Sequence, residues 1–152
     1  MLNPEINPIQ LAHEPAAADA IADTAAWCDL SKAKGVLITV LHYRGGDTDL
    51  VLHVHEGAAA SGTTAITAAF PIWYASDALT DPTLVRQADA ASFTIDTGLH
   101  TGSQVVQFYI EAGILSAGCR YVQLGTSGGH ASSIASITYE LVGTRYQNNE
   151  AL

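Results

Sequence analysis

Gly35-Val36-Leu37-Ile38-Thr39-Val40-Leu41-His42-Tyr43, followed after Gly45-Gly46 by Asp49-Leu50-Val51-Leu52-His53-Val54-His55-Glu56, is the stretch that decides the fold. The first run is dense in branched residues, which suit a pleated, half-buried surface. In the second, side chains alternate across the strand. Leu50, Leu52 and Val54 fall on one face, and Asp49, Val51, His53 and His55 on the other. The Gly-Gly pair between the runs reads as a hairpin turn, because tight hairpins require positive φ.

The same period continues outward from this pair. Residues 63–70, 91–97, 104–111, 119–124 and 134–142 read as strands separated by Gly, Ser, Asp and Pro clusters, and 72–77 extends or follows the first of them. Residues 79–89 carry Pro82 and no clear period, and read as a crossover. No long amphipathic helix is interleaved. The expectation is an all-β protein, a two-sheet sandwich or jelly roll.

The first two dozen residues differ. Pro4, Pro8 and Pro15 bias them to extended backbone, and the apolar positions of 16–26 are nearly all Ala, which makes a poor helix stripe. An extended N-terminal arm over 1–26 is expected, then a sandwich domain over 27–147 and a polar tail over 148–152.

The chain has 152 residues, 48% hydrophobic and 14% charged, enough for one domain with its own core. Its net charge of -9 opposes binding to nucleic acid or an anionic membrane, which need clustered cations. The N-terminal ten residues lack a basic segment and an apolar run, so no secretory signal is expected. No apolar run approaches the roughly 20 residues of a membrane span. Cys28 and Cys119 have no ligand-spaced partner. Each reads as a small buried hydrophobe; a disulfide between them stays open, though nothing indicates an oxidising compartment.

Four patterns are candidates for chemistry. His53-Val54-His55 projects two imidazoles from one strand face, as a zinc site requires. A Gly45-Gly46 hairpin would pair His42 opposite Asp49 on that same face, so a site from His42, Asp49 and His53 or His55 is conceivable, with His42, His53 and His55 the metal candidates. Against this, closed sites need three or four ligands, and no second His-x-His or Cys pair completes the set, so no metal or other cofactor is expected. Gly125-Thr126-Ser127-Gly128-Gly129 matches the nucleophile-elbow spacing. However, the next segment is strand-like and no His lies beyond His130, so a Gly-rich turn is the better reading and no catalytic residue is assigned. The carboxylates are scattered, unlike a glycosidase pair. Trp73-Tyr74 could stack on a sugar. An enzyme is not expected.

Several phrases taken together carry a resemblance. They are Cys28-Asp-Leu-Ser-Lys-Ala-Lys-Gly35, Glu56-Gly-Ala-Ala-Ala-Ser-Gly62, Trp73-Tyr-Ala-Ser-Asp77, Gln107-Phe-Tyr-Ile-Glu111, Arg120-Tyr-Val-Gln-Leu124, Ala135-Ser-Ile-Thr-Tyr139 and Arg145-Tyr-Gln147. Over residues 27–147 the chain resembles small capsid decoration (cement) proteins of tailed bacteriophages. The resemblance implies a jelly-roll-like homotrimer, made in the host cytoplasm. It would sit on the outer surface of the virion and bridge neighbouring major capsid protein subunits, with no catalytic residues. The alternative is a carbohydrate- or metal-binding β-sandwich module.

Overall fold

A computed structural model describes residues 8–98 and 102–144 of the chain. The expected tail, 148–152, and the first seven residues of the expected arm lie outside them.

Within the described residues ten strands form two antiparallel sheets. The larger has the order β1 (Ile9–Ala17), β10 (Ile134–Val142), β3 (Gly35–Tyr43), β8 (Ser103–Glu111), β5 (Ile72–Ala75), β6 (Val85–Arg86). The smaller has β2 (Cys28–Asp29), β9 (Tyr121–Gly128), β4 (Leu50–Gly57), β7 (Ser92–Ile95). Among the described residues, successive strands alternate between the sheets except at β5–β6, so the connections wrap around the core as in a jelly roll.

The core is what the alternation dictates. Val36, Ile38 and Val40 of β3, Phe108 and Ile110 of β8, and Ile137 and Tyr139 of β10 face Leu50, Leu52 and Val54 of β4 and Leu124 of β9, all fully buried. Phe70 packs edge-on against Phe108 at 5.4 Å between ring centroids. Both cysteines are free, Cys28 buried and Cys119 half-buried.

The Gly45-Gly46 hairpin does not form. β3 and β4 lie in different sheets, and neither glycine has positive φ. A Cβ on Gly45 would sit 1.9 Å from the Ser132 carbonyl oxygen, and one on Gly46 2.3 Å from the His130 ring. These glycines let the 130–133 loop pack onto the crossover. Residues 63–70, expected as a strand, make only isolated bridges from Ala65 to His55 and from Phe70 to Ala90. Of the Gly125–Gly129 segment, read as a turn, residues 125–128 continue β9 beside β4.

The arm is extended over Ile9–Ala17, but there it belongs to the larger sheet as edge strand β1, paired with β10. One helical turn, α1 (Ala18–Ile21), then buries Ala18 and Ile21 at the sandwich end. At Ala22 the chain reverses with φ 42°, a left-handed conformation that costs a non-glycine residue about 1–3 kcal/mol. Residues 22–29 then run as a strap along the free edge of β9. Thr126 N–H donates to the Ala22 carbonyl at 2.8 Å, and Cys28 pairs with Val122. Between these anchors the strap bows away, and two side chains fill the gap. Gln123 Nε2 donates to the Asp23 and Ala25 carbonyls at 2.9 and 2.6 Å. From the opposite sheet, the Tyr139 hydroxyl accepts the Leu124 N–H at 2.8 Å.

Candidate functional site

His53 and His55 do share the outer face of β4, as the alternation requires, with ring centroids 4.8 Å apart. Their cross-strand partners on β9 are Gly125 and Gln123. The third member of the cluster is Asp23 on the strap, which no sequence signal marked. Its Oδ1 lies 3.2 Å from His53 Nε2 and 3.8 Å from His55 Nδ1. Gly125 makes this approach possible: a Cβ there would fall 2.3 Å from Asp23 Oδ1 and 2.4 Å from His53 Nε2. His55 is buried, its side chain 5% exposed, and its Nδ1 has no hydrogen-bond partner. Three potential ligand atoms thus lie within 4.8 Å of one another.

The other sequence candidates are elsewhere. His42 faces the interior from the larger sheet, and Gln104 Oε1 lies 2.6 Å from its Nδ1. Burial pushes its pKa down. Because β3 is not hairpin-paired with β4, His42 cannot join His53 and His55. Asp49 is committed too, accepting the Thr97 backbone N–H at 2.9 Å and its hydroxyl at 3.2 Å. Ser127 sits exposed within an antiparallel strand, opposite Val51, and not at the strand-to-helix turn an elbow needs.

Trp73 and Tyr74 point to opposite faces of β5. Tyr74 packs inward against Phe93 at 5.2 Å, and burial with nearby Asp96 pushes its hydroxyl pKa up to about 12. Trp73 points outward, with the Arg86 guanidinium over its ring at 5.0 Å. The two rings do not form one stacking platform.

A second feature is a groove of about 390 Å³ on the outer face of the larger sheet, at the end nearest the β3–β4 crossover. Ile134, Tyr43 and Ser103 form one cross-strand row and Ser136, Leu41 and Val105 the next. Leu79 rims it from a turn held by the Ala78 N–H to the Ser103 carbonyl, 2.7 Å, and by the Thr80 hydroxyl to the Asp77 carboxylate, 2.6 Å. Leu79, Tyr43, Leu41 and Ile134 are 80, 58, 50 and 49% exposed. Among the described lining residues none is Asp, Glu, Lys or Arg. Periodicity alone could mark these residues as outward-facing, but only the sheet order assembles them into one surface.

No helix among the described residues is long and apolar enough to cross a membrane. Compared with known proteins, the chain matches no family model, no curated protein and no solved structure.

Proposed function

We propose that the chain is a structural binding protein that docks on a capsid lattice through the outer face of its larger sheet, decorating and bridging major capsid protein subunits. The observation that carries the reading is the charge-free groove. On a protein of net charge -9, four large apolar side chains stand exposed around one concavity, and none of its described lining residues is Asp, Glu, Lys or Arg. Interface cores are depleted in charge and rich in aromatic and apolar groups, whereas free surface is not. A concavity of this size accepts one or two apolar side chains from a partner, which is how binding energy concentrates at interfaces. The nature of the partner is the contribution of the sequence resemblance.

The test uses expanded capsid shells of the virus in whose genome the chain would be encoded. The protein is expected to co-sediment with the shells and raise their melting temperature, and Tyr43→Glu with Leu41→Asp is expected to abolish both effects while the free protein keeps its own unfolding midpoint. Equal shell binding by the double variant would overturn the reading. So would a self-association lost in the variant while the wild type ignores shells, since the groove would then seat a second copy.

A further inference from the structure

We infer that Asp23, His53 and His55 form a binding site for a divalent transition-metal ion of the zinc class, which clamps the strap to the smaller sheet. The site is independent of the groove, on the opposite side of the sandwich.

The donor chemistry comes first. Two imidazoles and one carboxylate are the borderline-soft set that zinc, cobalt and nickel prefer, whereas calcium and magnesium prefer all-oxygen sites. Zinc bonds of about 2.0–2.1 Å place tetrahedral ligand atoms about 3.3 Å apart. Here the candidate atoms lie within 4.8 Å, and the Asp23–His53 pair is already at 3.2 Å. Closing the set needs a contraction of about 1.5 Å, chiefly between the two imidazoles, within reach of a rotation of the partly exposed His53 side chain.

The second observation is the orphaned nitrogen. A buried polar atom without a partner costs about 1–3 kcal/mol. His55 Nδ1 is such an atom, and it faces Asp23 at 3.8 Å, too far for a hydrogen bond but suited to sharing an ion. Asp23 Oδ1 cannot hydrogen-bond well to both rings, whereas a cation between them satisfies all three groups. Glycine at position 125 keeps the space open. Asp23 and His53, 42 and 24% exposed, leave the remaining coordination position to solvent.

The consequence is mechanical. Asp23 belongs to the strap and both histidines to β4, so an ion here joins segments separated by the whole width of β9. It would hold the strap where it bows from the β9 edge.

The experiment titrates chelator-treated full-length protein with zinc chloride and cobalt chloride. Calorimetry reads stoichiometry, visible absorption reads cobalt geometry, and thermal unfolding reads the clamp. One equivalent is expected to bind at micromolar concentration or tighter, with a low-symmetry cobalt spectrum. At hundredfold excess over the dissociation constant the midpoint should rise by about 5–10 °C. Asp23→Ala and Gly125→Ala should each weaken binding at least about tenfold. In Gly125→Ala the added methyl meets only the movable ends of Asp23 and His53, so the fold should persist without the site. Binding only at millimolar metal would overturn the inference. So would tight binding retained in both variants, which places the ion on other histidines.

Discussion

Replacing Tyr139 by phenylalanine removes one oxygen from the middle of the sandwich and leaves the ring in place. The side chain is fully buried, so the change opens almost no space and adds little cavity penalty. What it takes away is the acceptor for the Leu124 N–H, 2.8 Å from the hydroxyl. The strap bows outward at that point, leaving no backbone carbonyl beside it. The amide is then stranded in the core, at a cost of about 1–3 kcal/mol. For a domain of this size each kcal/mol lowers the melting midpoint by about 2–4 °C, so a fall of roughly 2–12 °C is expected. Calorimetry and urea unfolding measure the loss, and hydrogen exchange at Leu124 locates it: the amide should exchange markedly faster in the variant than its neighbours Val122 and Thr126 do. A stability change below about 0.5 kcal/mol, the scale of ordinary surface substitutions, would refute the reasoning, because Leu124 would then have another partner. Unaltered exchange at Leu124 would refute it equally.

Burial sets two further outcomes. Burial, with Asp29 adding to it, pushes the Cys28 thiol up to about 12, and Cys119 is partly exposed, so a thiol reagent at mild alkaline pH should label Cys119 rapidly and Cys28 only on unfolding. Two thiols reacting at one rate, or none, would contradict this. His42 is held below its ordinary value of 6.5 by burial, against the opposing effect of Gln104. Above that pH neither state holds the proton. As pH falls below it, the unfolded chain takes up a proton that the folded imidazole resists, so His42 contributes a progressive loss of stability on acidification. The slope of unfolding free energy against pH just below 6.5 should flatten in His42→Leu; an unchanged slope would remove His42 as the source.

The strands were legible where side-chain alternation met a two-sided environment. Leu50, Leu52 and Val54 fall on the core face and His53 with His55 on the other, as read from the sequence alone. The pairing was not legible. Gly45-Gly46 suggested a hairpin because glycine is the usual device for positive φ, but here both glycines serve close approach to Ser132 and His130, which local sequence cannot reveal. A hairpin would have set His42 opposite Asp49 and near His53, whereas the crossover puts His42 in the other sheet and Asp49 is taken up by Thr97. Asp23 was hidden for a related reason. It reaches His53 only because the strap follows β9 and because Gly125 lies opposite His53, and both depend on register between distant segments. The Gly125–Gly128 run misled in the same way, since a strand glycine that clears a path for a neighbouring side chain looks, in sequence, like a turn. The groove was equally unreadable, being assembled from three neighbouring strands and the turn carrying Leu79, far apart in the chain.

If this protein acts through a surface it buries against a partner, an electron cryomicroscopy map of shells saturated with it is the most direct test. Density for the sandwich is expected on the outer shell surface, with Leu41, Tyr43, Leu79 and Ile134 covered by a capsid subunit. A bound protein whose groove faces open solvent, or a shell that carries none at saturating concentration, would contradict it.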